Sequence, residues 1–136
     1  MKLTETPLAG LFILEPKVLE DNRGFFMESY NKKKLEHLGL VSEFVQDNHS
    51  RSHKGVIRGL HFQNPPFQQT KLIRSVAGDI LDVVVDIRTA SETYGQHFSV
   101  VLSDQNKKQL YVPAGFAHGF AALSDEVEIL YKCDQF

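Results

Sequence analysis

GVIRGLHFQNPPFQQTK, residues 55–71, sets Arg58, His61 and Lys71 into a run of strand formers. Val56, Ile57, Leu60 and Phe62 favour extended backbone, and Gly55 and Pro65-Pro66 bound the run with turns. Such a strand either decorates a surface or lines a polar site inside a barrel. Strict alternation puts Arg58 and His61 on opposite faces. Gly59, between them, predicts a bulge that turns both side chains into one cup.

Outward from this stretch the same period-2 grain continues. LFILEPKVLE (11–20) reads as an early strand with an edge or break at Pro16, DNRG (21–24) as a turn and FFMESY (25–30) as strand again. NKKKLEHLGL (31–40) is the one helical segment, capped by Asn31 and closed by Gly39, with Lys32, Lys33 and Lys34 on a solvated face. SEFVQDN, GVIRGLHFQ, TKLIRSVAG, DILDVVVDIR, HFSVVLS, QLYVP, FAHGFAALS and EVEILYKC follow as strands, with turn signals about every ten residues. In DILDVVVDIR, Leu81, Val83, Val85 and Ile87 share one face, and Asp82, Val84, Asp86 and Arg88 the other. In EVEILYKC, Val127, Ile129, Tyr131 and Cys133 line up together, so Tyr131 is also readable as a core tyrosine with its hydroxyl at the rim. The expectation is one all-β unit over residues 1–136, a sandwich or barrel with one short N-terminal helix.

Bulk composition narrows the partners. With 136 residues, 42% hydrophobic, the chain can bury a core without disulfide or metal staples. A net charge of −2, with no basic stripe, argues against nucleic acid, although a few local arginines still suit a phosphate. The single cysteine, Cys133, permits no internal disulfide and reads as a small apolar filler. No stretch has the ~18 apolar residues of a membrane span, so the expected location is the cytoplasm.

Two spacings carry chemistry. Gly55, five residues, His61, and Lys71, six residues, Gly78 resemble the first cupin motif; Pro113-Ala-Gly-Phe-Ala-His118 resembles the core of the second. The resemblance implies a cupin jelly roll with a site in the barrel mouth. Metal-binding cupins place a second histidine where this chain has Gln63, and a glutamate where it has Lys71. An ammonium repels a divalent cation, so only His61 and His118 remain and the cup is expected to hold no metal. A histidine near neutral pKa suits removal of a proton alpha to a ketone. Lys71 or Arg58 supplies positive charge at the enolate oxygen, and a phenol such as Tyr131 returns a proton to the opposite face. That set describes an epimerase.

DNRGFFMESY, FVQDNHSRS, GVIRGLHFQ, QTKLIRSVAGDILDVVVDIR, TYGQHFSVVLS and QLYVPAGFAHGFAALSD resemble the dTDP-4-dehydrorhamnose 3,5-epimerase family, from about residue 5 onward. The resemblance implies a cofactor-independent homodimer that inverts C3 and C5 of dTDP-4-keto-6-deoxyglucose on the way to dTDP-L-rhamnose. It implies His61 as base, Tyr131 as proton donor, and Lys71 and Arg58 as contacts to the sugar or diphosphate. It further implies nucleotide-sugar binding at Arg23, Glu28, Gln46, Asp47 and Asn48, with Asp82 and His118 lining the pocket. In that family the base pairs with an aspartate well beyond the tyrosine. This sequence ends at Phe136, without that segment, which leaves Asp82 and Asp86 as the carboxylates open to the role. The rival readings are a metal-dependent cupin, a single-centre epimerase and a non-catalytic nucleotide-sugar binder. A strand such as LFILEPKVLE is the candidate for pairing across a dimer.

Overall fold

Alternation of apolar or small residues with polar ones makes strands of nearly every run named above. The computed structural model describes residues 1–136. In chain order it contains β1 (Lys2–Glu5), β2 (Phe12–Glu15), β3 (Val18–Asp21), β4 (Gly24–Met27), α1 (Lys32–His37) and β5 (Gln46–His53). There follow β6 (Ile57–His61), β7 (Lys71–Ala77), β8 (Asp79–Asp86), β9 (His97–Ser103), β10 (Gln109–Val112), β11 (Phe116–Ala122) and β12 (Glu126–Cys133). Two sheets face one another. One has six strands in the order β1-β2-β10-β7-β12-β5, the other four in the order β6-β11-β8-β9. This is the all-β jelly-roll architecture expected, with one short helix.

Leu8, Leu11, Ile73, Ile80, Val84, Leu102, Leu110, Val112, Phe116, Phe120, Ala122, Val127 and Ile129 form the core. Each is fully or almost fully buried, worth roughly 1.5–3 kcal/mol for a large side chain. A smaller core lies on the outer face of the six-stranded sheet, where Leu35 and Leu40 pack on Leu14, Leu72 and Tyr111. Leu35 reaches it from α1, which begins where the Asn31 side chain accepts from the Lys34 backbone N–H. Gly39, at φ +82°, follows the helix in the left-handed region that suits its exit.

The break expected at Pro16, which cannot donate to a ladder, divides LFILEPKVLE into β2 and β3, and β3 pairs with β4 in a separate hairpin. Two expectations change. β2 is enclosed between β1 and β10, so β1, unread in the sequence, is the edge strand on that side. The strand expected over SEFVQDN begins only at Gln46 and runs on through His53, because Ser50 and Ser52 are small enough to face inward between polar outward neighbours.

The face of β8 that turns inward is the one bearing carboxylates. Ile80, Asp82, Val84 and Asp86 are all fully buried. Asp86 accepts from Arg88 Nε (2.9 Å) and Nη2 (2.8 Å), and from the hydroxyls of Ser91 and Thr93, each at 2.6 Å. The Arg88 guanidinium is the main cause that holds its carboxyl far below the usual range. Asp86 thus anchors Arg88, Ser91 and Thr93 of the loop between β8 and β9.

Candidate active site

β5 and β6 are consecutive strands that join different sheets, and each is the last strand of its sheet. The inner faces of the two sheets therefore meet as the walls of a cup beside these edges. The first wall is β6 and β11. His61 pairs directly with His118, and Arg58 with Phe120. Between those pairs β11 has only Gly119, whereas β6 has Gly59 and Leu60, so β6 carries one extra residue. Since His118 and Phe120 share the buried face, both Arg58 and His61 are turned to that side, as the Gly59 bulge requires. The strands approach too closely for side chains here. A Cβ on Gly59 would lie 2.7 Å from Gly119 Cα, and one on Gly119 would lie 2.6 Å from Arg58 O. Gly59 also holds φ +115°.

The opposing wall comes from β7, β12 and β5. Tyr131 pairs with Ile73 on one side and Asn48 on the other; Cys133 pairs with Lys71 and Gln46. These side chains share the inner face of the six-stranded sheet. Gln46 Nε2 donates to Asn48 Oδ1 at 3.0 Å, and Asn48 Nδ2 lies 3.7 Å from Cys133 Sγ. The Lys71 ammonium lies 5.9 Å from the centroid of the Tyr131 ring. Burial pulls the Lys71 pKa down, against the opposing pull of Cys133 and Asp82. Burial likewise pushes the Tyr131 hydroxyl up, reinforced by Cys133 and opposed by the charge of Arg58. Cys133, buried as read, has its thiol pushed up too, so it is a neutral filler rather than a nucleophile.

Deeper in the first wall, His118 Nε2 lies 2.8 Å from Asp82 Oδ2. The other oxygen, Oδ1, is buried with no partner. The carboxylates open to partnering His61 do not reach it: Asp82 engages His118, and Asp86 engages Arg88, Ser91 and Thr93. A cavity of about 380 Å³ adjoins Lys71 and His118 and is bordered by Phe62, Gln69 and Arg88. No group of three His, Cys, Asp or Glu side chains is placed to hold a metal ion.

Three residues named from the sequence stand outside the cup. Asp47 alternates with Gln46 and Asn48, so it faces outward and pairs with Lys132 at 2.8 Å. Arg23 sits in the β3–β4 turn, bound to Asp21 at 2.6 Å, with its side chain 85% exposed. Glu28 follows the same hairpin and binds Lys34 Nζ at 2.7 Å. Sequence reading passed over Ser52, which is 4% exposed and accepts from Arg58 Nε at 2.9 Å. The alternation Gln46, Asn48, Ser50, Ser52 was the signal that could have found it.

Comparisons with known proteins bear on the family and the fold. A family profile described as dTDP-4-dehydrorhamnose 3,5-epimerase matches residues 5–136. The dTDP-4-dehydrorhamnose 3,5-epimerase of Shigella flexneri is 54% identical over 137 residues, covering 100% of this chain and 76% of that one. The crystal structure of a dTDP-6-deoxy-D-glucose-3,5-epimerase from Legionella pneumophila, in complex with dTDP-4-keto-L-rhamnose, superposes with a TM-score of 0.96 at 48% identity. It covers 99% of this chain and 72% of its own. A 3'-monoepimerase from Streptomyces bikiniensis, in complex with dTDP-quinovose, gives a TM-score of 0.90 at 29% identity over 96% of this chain and 67% of that one. The chain spans about three quarters of the length of the Shigella relative. By profile, identity and fold, the chain belongs to the dTDP-4-dehydrorhamnose 3,5-epimerase family.

Proposed function

We propose that this protein inverts C3 and C5 of dTDP-4-keto-6-deoxyglucose, with no cofactor, in a cytoplasmic route to dTDP-L-rhamnose. The observation that carries the reading is the provenance of the two proton-transfer groups. His61 belongs to the four-stranded sheet and Tyr131 to the six-stranded sheet facing it. A sugar ring held between the sheets meets a base on one face and an acid on the other, which is what inversion requires.

His61 takes the proton from C3, and the C–H electron pair passes into the C3–C4 bond while the C4 carbonyl becomes an enolate oxygen. Lys71, a half-buried ammonium with a pKa lowered by its surroundings, donates to that oxygen. The enolate collapses and C3 takes a proton from the Tyr131 hydroxyl on the other face. His61 then gives its proton to solvent, the Tyr131 phenolate takes one from solvent, and the reset pair repeats the sequence at C5. A phenol whose pKa is pushed up stays protonated at neutral pH, as a donor must. Arg58, at the rim, offers a guanidinium to the diphosphate, and Gln46 and Asn48 offer amides to the nucleotide sugar. His118 and Asp82 form the polar floor beside Lys71.

Arg23 and Glu28 enter the reading through a second copy of the chain. Their hairpin exposes Leu19, Phe25 and Phe26, an apolar surface suited to a homodimer contact that brings Arg23 to a neighbouring site. A single-centre epimerase is the second reading, favoured by the fold shared with the 3'-monoepimerase.

The test is turnover of dTDP-4-keto-6-deoxyglucose in heavy water, followed at both carbons by NMR. Deuterium at C3 and C5 is the expected result. Deuterium at one carbon only gives the single-centre reading, and none from a folded, dTDP-binding protein refutes catalysis.

A further inference from the structure

Arg58 lies on β6, an exposed edge strand with no second neighbour to fix its long side chain. A free arginine there samples many rotamers, and a ligand that binds it must first order it. The structure supplies a fixture instead. Arg58 Nε donates to Ser52 Oγ at 2.9 Å, and Nη2 donates to the Arg51 carbonyl at 3.3 Å. Ser52 lies on the inner face of β5, opposite Val127, and is 4% exposed. The bond thus crosses from the last strand of one sheet to the last strand of the other. It occupies one of the five guanidinium N–H groups, and the carbonyl takes a second. The remaining donors stay free on a side chain whose charge is felt at the Tyr131 hydroxyl within the cup.

We propose that Ser52 is a positioning residue that holds the Arg58 guanidinium in place at the cup rim, ready for the diphosphate of the nucleotide sugar. The proposal rests on the site reading given above. Ser52 does not touch the substrate; it acts only through Arg58. A purely structural serine would affect stability alike whether Arg58 is present or not. A positioning serine acts on ligand affinity, and only while Arg58 is there.

The experiment is a double-mutant cycle on dTDP binding, measured by calorimetry with the dimerisation state checked. Ser52→Ala is expected to weaken dTDP binding about tenfold, the scale of losing one hydrogen bond to a charged group. In an Arg58→Ala background the same change is expected to do nothing further. Ser52→Thr, which keeps the hydroxyl, stays within about twofold of the wild type, while its near-isostere Ser52→Val follows Ser52→Ala. This pair preserves the test should the alanine variant fold poorly. In turnover, KM rises by a larger factor than kcat falls. Equal weakening in both backgrounds, or unchanged affinity in Ser52→Ala and Ser52→Val, overturns the role of Ser52. A wild-type protein that fails to bind dTDP overturns the site reading itself, so the two failures are distinct.

Discussion

Asp82 and Asp86 lie four residues apart on the same buried face of β8, and the surroundings treat them oppositely. Asp86 is saturated: a bidentate Arg88 and two hydroxyls occupy its oxygens, and its carboxyl is held far below the usual range. Asp82 has a single partner, His118, and leaves Oδ1 buried with nothing to accept from. A carboxylate built for stability has every lone pair answered. Asp82, answered only by His118, instead lies near enough to Lys71 for its charge to act on that ammonium. Strand alternation delivers both carboxylates to the interior, and their neighbours decide which one serves the fold and which the cup.

The comparison breaks first at Asp86. Asp86→Asn removes the charge that Arg88 answers and leaves a buried amide among donors, so a loss of about 3 kcal/mol is expected, read as a lowered denaturant midpoint. The acid limb follows the same carboxylate. Its folded pKa is depressed, so its stabilisation is complete above the unfolded pKa, near 4, and is lost as pH falls through the folded value. The wild type is therefore expected to lose stability steadily below about pH 4, and the variant less steeply. An unchanged midpoint and acid limb would show that Arg88, Ser91 and Thr93 hold the loop without Asp86.

Asp82→Asn should give the inverse pattern. The amide still accepts from His118, so stability changes by about 1 kcal/mol or less, while turnover falls about tenfold because the charge beside Lys71 is gone. A variant that unfolds like Asp86→Asn yet turns over normally per folded molecule would erase the distinction between the two carboxylates.

How much of this was legible in the sequence depended on the kind of residue. β9 and β12 could be bounded to the residue because branched and aromatic side chains alternate cleanly in HFSVVLS and EVEILYKC. β5 was misplaced because QDNHSRSH is polar throughout, and only serines in alternate positions betray its inner face. The spacing of Lys71 and His118 singled out side chains that border one cavity, His61 is the register partner of His118 on the exposed strand β6, and Gly59 foretold the bulge that turns Arg58 to the same side. Asp47 was grouped with its neighbours by motif, although strand geometry alone turns it outward. The positions of Arg23 and Glu28 depend on a hairpin that leaves both sheets, a tertiary fact no local pattern carries.

The central claim is that base and acid stand on facing sheets, and partition of the enolate tests it most directly. Tyr131→Phe and His61→Ala are compared with the wild type in heavy water, scoring deuterium uptake and inversion separately at each carbon. Without the phenol, the enolate still forms and is reprotonated from the side of His61. Tyr131→Phe is therefore expected to take up deuterium with the original configuration kept, while inversion falls by about 10²-fold or more. His61→Ala is expected to lose both uptake and inversion together. Inversion at the wild-type rate in Tyr131→Phe, or deuterium uptake surviving in His61→Ala, would contradict the account.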